Sequence, residues 1–131
     1  MDEISAPIPI LDPSQLATMT GNDASLGIEV IDIFRQQTEI WARMLDADLP
    51  PTQWADAAHS LKGSALSVGA LRLADICAAT ETLGRSAAQQ AVSRTAAAIS
   101  LSAVKDQIGP AIEASAKLAH QLSLSGRFIL S

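Results

Sequence analysis

The sequence predicts an all-α protein, an antiparallel up-down four-helix bundle with a short extra N-terminal helix. Three observations predict it. Apolar residues recur at intervals of three and four along most of the chain, which is the helical period. Strand signals are lacking: there is no sustained alternation and no Asn-Gly or Asp-Gly turn between apolar runs. The breaks between helical segments are short, and short connections make successive helices antiparallel neighbours.

The first element follows Asp12, which reads as an N-cap, with Pro13 at the first helical position and Gln15 as a capping-box partner. This helix covers about residues 13–20 and ends at Gly21-Asn22. Asp23 caps a second helix reaching about residue 46, whose apolar stripe is Leu26, Val30, Ile33, Phe34, Trp41, Met44 and Leu45. Leu49-Pro50-Pro51-Thr52 breaks the chain and restarts it. A third helix over 52–68 stops at Gly69, a natural C′ residue. A fourth covers 70–83 and is stopped by Gly84. The remainder, 86–122, is rich in Ala and Ser and keeps helical spacing through Leu101, Val104, Ile108, Ile112, Ser115, Leu118 and Leu122. Gly109-Pro110 predicts a kink or break inside it, because proline removes a donor and clashes with the preceding turn. The expected organisation is a tail over 1–10, one bundle over 11–122 and a tail over 123–131. Phe128-Ile129-Leu130 in that last tail either docks on the bundle or stays disordered.

Composition narrows the function. The chain has 131 residues, one domain's worth, and 48% of them are apolar, enough for one core. A single Cys excludes a disulfide framework and a Cys-based zinc site, and two His cannot build a three-histidine metal centre. Cys77 reads as a reduced, buried small hydrophobe. A net charge of −5 and 3% aromatics argue against nucleic acid as a partner. No run of apolar residues is long enough to span a membrane, and Met1 to Ile10 lacks the basic and apolar regions of a signal peptide. The expectation is a cytoplasmic protein.

The informative stretch is His59-Ser60-Leu61-Lys62-Gly63-Ser64-Ala65. At about 100° per residue, Trp54, Ala57, Leu61, Ala65 and Val68 fall on one side of the third helix and form its core face. Thr52, Ala55, Asp56, His59, Lys62, Gly63, Leu66 and Ala70 fall on the other. Gly63 is the oddity. A helix-interior glycine costs roughly 1 kcal/mol against alanine, and packing inside the bundle does not explain one on the outward face. A bare patch beside an imidazole lets something bulky approach the ring, and Ala55 clears the other side. Lys62 adds a cation with three donors. A histidine is substantially neutral, hence nucleophilic, at pH 7. Together these describe a phosphoryl-accepting histidine. A turn at Gly69-Ala70 brings the next helix back so that residues 79–83 face His59. Glu81 is the polar residue there, placed to accept a hydrogen bond from the ring or from Lys62. Leu66 is an exposed apolar residue suited to docking a partner. Alone, a surface His is usually only a surface residue and Lys62 a solvated charge; the conjunction carries the reading. His120 lacks any such pattern and reads as structural or solvent-facing. Glu29, Asp32 and Glu39 read as a solvated helix face.

With the heptapeptide, the downstream Gly69, Leu73, Cys77 and Glu81, and the upstream Phe34 and Leu11-Asp12-Pro13, the sequence resembles the histidine-containing phosphotransfer (HPt) domains of multistep phosphorelays. The resemblance covers roughly 11–122. It implies a four-helix bundle with the phospho-accepting histidine exposed mid-helix. It would make His59 the phosphorylated residue, with Lys62 stabilising the phosphoryl oxygens, Gly63 leaving room for them and Glu81 as polar neighbour. The family usually has an uninterrupted last helix, so Gly109-Pro110 is a departure.

The expected function is that of a freestanding phosphoryl carrier. His59 accepts a phosphoryl group from a receiver-domain aspartate and passes it to another receiver. The expected partners are receiver domains of response regulators and of a hybrid histidine kinase, met through Thr52, Ala55, Asp56, Leu66 and Ala70. No cofactor or metal is expected on this chain; Mg²⁺ is expected on the receiver. No Walker motif or Gly-rich nucleotide loop is present, so no ATP-dependent kinase activity is expected. Two rivals are a dimeric histidine phosphotransferase or kinase-dimerisation bundle and a non-catalytic helical module that sequesters a response regulator. The expected monomer separates the first from the favoured reading. Absence of a Glu-x-x-His pair removes a metal-carboxylate bundle.

Overall fold

A computed structural model describes residues 7–130. These form five α-helices: α1 (Pro13–Met19), α2 (Ala24–Ala42), α3 (Pro51–Val68), α4 (Leu71–Arg85) and α5 (Arg94–Ser125). A single 3₁₀ turn, Ser86–Ala88, follows α4. No strand occurs among the described residues. The four long helices pack in a ring, α2 on α3, α3 on α4, α4 on α5 and α5 back on α2, while α1 rests on α3 and α2.

Three of the five helices, α1, α2 and α5, start on side-chain caps. Asp12 Oδ1 accepts from the Ser14 amide at 3.0 Å and Asp23 Oδ1 from the Leu26 amide at 3.0 Å, satisfying donors that have no partner in the first turn. Gln15 does not complete a capping box; the Asp12 amide donates instead to the Gly69 carbonyl at 2.8 Å. That bond pins the start of α1 to the end of α3. Gly69 ends α3 at φ +80°, and a Cβ there would collide with the Asp12 carbonyl oxygen, so both conformation and space require glycine.

The core face of α3 is as expected: Trp54, Ala57, Leu61, Ala65 and Val68 are all buried. On the opposite side, two expectations fail. Ala55 and Ala70 are fully buried rather than outward. Ala55 lies under Gly84 of α4, because α4 covers that flank of α3. Ala70 lies in the tight α3–α4 turn, where its amide donates to the Ala65 carbonyl at 2.8 Å.

Elsewhere the boundaries move. On α2 the buried face is Ala24, Gly27, Ile31, Phe34 and Thr38, while Leu26 and Ile33 are exposed. The predicted stripe was rotated toward solvent because Gly27 and Thr38 carry no apolar signal. The Phe128 ring comes back onto Gly27, where a Cβ would sit 2.9 Å from its Cζ. That aromatic therefore docks on the bundle. At the other end, Arg72 donates its amide to the Pro9 carbonyl at 3.2 Å and Nε to the Ile8 carbonyl at 3.0 Å.

Gly84 does not stop α4. It lies one residue inside the helix, at its closest approach to α3: a Cβ there would be 2.6 Å from Ala55 Cβ, 2.8 Å from Trp54 Cζ3 and 2.9 Å from the Pro51 carbonyl oxygen. Chain 89–93 then leads to Ser93, whose Oγ caps α5 by accepting from the Ala96 amide at 3.0 Å. The last helix thus starts eight residues later than expected. It runs to Ser125 through Pro110 without a break. Gly109 and Pro110 are exposed, and so is Asp106, whose carbonyl loses its i+4 donor and is solvated instead. Leu101, Val104, Ala111, Ser115 and Leu122 remain in register on the buried side.

Gly84→Ala gains roughly 1 kcal/mol of helix propensity but forces α4 away from α3, an overpacking cost of about 1–3 kcal/mol. A lower denaturation midpoint is expected; an unchanged or raised midpoint would show that the close approach is not needed.

Candidate functional site

The site is built on one face of α3 and the facing side of α4. On α3, Thr52, Asp56, His59, Gly63 and Leu66 are exposed and Lys62 is half-buried. Because α4 returns along α3 in the register fixed at Gly84, Glu81 arrives opposite His59 and Lys62. The sequence left open which of the two Glu81 meets. It meets both. His59 Nδ1 lies 2.9 Å from Glu81 Oε2, and Lys62 Nζ donates to Glu81 Oε1 at 2.7 Å.

Burial is graded across this cluster. The side chains of His59, Lys62 and Glu81 are 62%, 29% and 17% exposed. The carboxylate is therefore the recessed member and the imidazole the presented one. The Lys62 hydrogen bond holds the Glu81 carboxyl below the usual carboxylate range, aided by His59 and opposed by partial burial. An ionised carboxylate can only accept. The hydrogen between Glu81 and the ring therefore sits on Nδ1, and in a neutral ring the lone pair sits on Nε2. Nε2 has no hydrogen-bond partner among the described residues.

Gly63, one turn beyond His59, borders open space: a Cβ built there meets nothing within 4 Å. The two interior glycines of α3 and α4 thus have opposite reasons. Gly84 is where another helix already fills the space, and Gly63 is where the space is left empty. Leu66 borders a shallow apolar groove with Ile8, Leu71, Ala74 and Ala78, with Lys62 and Asp75 at its edge.

Arg85 is the site residue that the sequence reading missed. Its Nη1 lies 2.7 Å from Asp56 Oδ1 and its Nη2 3.5 Å from Glu81 Oε2. Ending the helix at Gly84 left Arg85 outside it; continuing one more residue would have placed Arg85 four positions from Glu81 on the same face. Beneath the cluster, Cys77 is free and fully buried. Burial pushes its thiol up to about 12, with Lys62 acting in the opposite direction. His120 is exposed, far along α5.

Among the described residues no group of three or more His, Cys, Asp or Glu side chains could hold a metal ion. No helix among them is long and apolar enough to cross a membrane.

Residues 29–116 match the Hpt domain family. The chain is similar to a solved structure, the histidine phosphotransferase ShpA from Caulobacter crescentus, with a TM-score of 0.67 and 30% identity over 90% of this chain and 98% of that one. No curated protein matches the chain. The chain belongs to the Hpt domain family, the histidine phosphotransfer proteins of two-component phosphorelays.

Proposed function

We propose that this chain carries a phosphoryl group on His59, taking it from the aspartyl phosphate of one receiver domain and giving it to the aspartate of another. The observation that carries this reading is the His59 ring, held through Nδ1 by Glu81 beside the open space over Gly63. The functional unit is an antiparallel up-down bundle that starts near residue 11; the boundary expected at 122 falls inside α5, which continues to Ser125, and Phe128 beyond it packs back on Gly27.

In the forward step the Nε2 lone pair attacks phosphorus. The N–P bond forms as the acyl O–P bond breaks, and the receiver aspartate leaves as a carboxylate. Positive charge grows on the ring during the step, and the Glu81 carboxylate facing Nδ1–H stabilises it. Lys62 sits beside the entry space and neutralises phosphoryl oxygens. Gly63 leaves the volume that those oxygens need. Phosphoryl transfer is governed by in-line positioning and charge neutralisation, so a carrier of this kind needs few groups of its own. The Mg²⁺ belongs to the receiver domain, and this chain binds neither metal nor nucleotide. Thr52, Asp56 and Leu66 contribute to the docking surface for receiver domains of response regulators and of a hybrid kinase. The buried Ala55 and Ala70 do not. The protein is a cytoplasmic monomer, which light scattering on a sizing column tests against a dimeric rival.

Transfer of label from a phosphorylated receiver should yield an acid-labile, base-stable adduct, absent in His59→Gln. Wild-type labelling of His59→Gln would falsify the site. Labelled ATP and Mg²⁺ without a partner should leave the protein unlabelled; direct labelling sinks the carrier reading.

Gly63 gives a sharper test. Gly63→Ala enters empty space, so the fold should gain roughly 0.5–1 kcal/mol, read as a higher denaturation midpoint. Gly63→Gln should fold at least as well and lose most phosphoryl transfer. Normal transfer by that variant would remove steric clearance as the reason for the glycine.

A further inference from the structure

We propose that Asp56 is a positioning residue for His59, acting through Arg85 and Glu81; this rests on Nε2 of His59 being the nucleophile. Glu81 Oε2 is a contested acceptor. His59 Nδ1 holds it at 2.9 Å while Arg85 Nη2 stands off at 3.5 Å. Arg85 lies four residues beyond Glu81 on the same helix, the spacing at which such a pair ordinarily closes. Here that pair is stretched to 3.5 Å, and the short contact of the guanidinium runs across to α3, where Nη1 meets Asp56 Oδ1 at 2.7 Å.

As a contribution to stability the Asp56–Arg85 pair is slight. Its side chains are 66% and 45% exposed, and exposed ion pairs stabilise little. Its importance lies in what it prevents. A guanidinium is always charged and makes charge-assisted hydrogen bonds stronger than those of a neutral N–H. An Arg85 released from Asp56 closes on Oε2 and competes with Nδ1–H for that oxygen. Lys62 already holds Oε1 at 2.7 Å, so the released guanidinium and the ring would share Oε2, and the charged donor weakens the ring's bond to it. The imidazole then has less reason to carry the hydrogen on Nδ1. With the hydrogen on Nε2 instead, the presented nitrogen has no lone pair and cannot attack phosphorus. Asp56 thus keeps the nucleophile in its reactive tautomer without touching it.

The test is the His59 tautomer, read from ring ¹⁵N shifts in long-range correlation spectra at a pH where the ring is neutral. Wild type and Arg85→Gln should show Nδ1–H. Asp56→Asn should shift the population toward Nε2–H and slow phosphoryl acceptance several-fold. Asp56→Glu should retain the wild-type tautomer, and adding Arg85→Gln to Asp56→Asn should restore the tautomer. An unmoved tautomer in Asp56→Asn, or failure of the double variant to restore it, overturns the proposal. A residue that served docking alone would slow transfer with the tautomer unmoved and without rescue. If the tautomers behave as described but no variant, nor wild type, accepts phosphoryl on His59, the positioning stands and the phosphotransfer reading fails.

Discussion

Everything at this site depends on how closely α4 lies against α3. At Gly84 the two backbones approach so near that the methyl of Ala55, the edge of Trp54 and the Pro51 carbonyl already fill the space a side chain would take. One turn further along, that approach puts Glu81 within hydrogen-bond reach of both His59 and Lys62. A carboxylate on a flexible side chain would otherwise solvate itself. Here it is recessed and doubly engaged, so its orientation is set by packing and not by the attraction alone. The register has a second anchor at the other end of the interface, in the tight α3–α4 turn, where the Ala70 amide donates to the Ala65 carbonyl at 2.8 Å. Between these two anchors the helices have little freedom to slide.

Much of this was legible in the sequence, and the exceptions have a common physical origin. The core face of α3 could be read because Trp54, Leu61 and Val68 are unambiguous apolar markers at helical spacing. The position of Glu81 could be read because a tight turn fixes the return register. Ala55 and Ala70 were misassigned because alanine fits a surface or a tight interface equally well, and a projection of one helix does not show which flank a neighbour covers. Gly84 was read as a terminator because glycine commonly ends helices; only the facing helix shows it to be a contact point. That same error hid Arg85. On α2, Gly27 and Thr38 are buried without looking apolar, so the visible stripe pointed partly to solvent. Pro110 does not break α5, since a hydrogen bond lost on a wet face costs less than one lost inside the bundle.

The electrostatic arrangement is economical. Glu81 is the only recessed acid in the cluster, and three donors address it from three directions: an ammonium, an imidazole and a guanidinium. Two of the donors come from α3 and one from α4, so the carboxylate also ties the helices together. Its ionisation is maintained by Lys62 above all. A phosphoryl group arriving over Gly63 would find positive charge beside it and negative charge behind the ring, an arrangement that favours the charge-separated product.

Cys77 gives the buried side of the site a different use. Its thiol is close enough to feel the charges of Lys62 and Glu81, and burial pushes it up to about 12. Thiolate chemistry is closed to it while the core stays packed. Its modification by a thiol reagent therefore requires the core around it to open, and the rate of that modification counts how often it does. The molecule thus carries, on the buried side of the His59 cluster, an internal clock for the opening of its core.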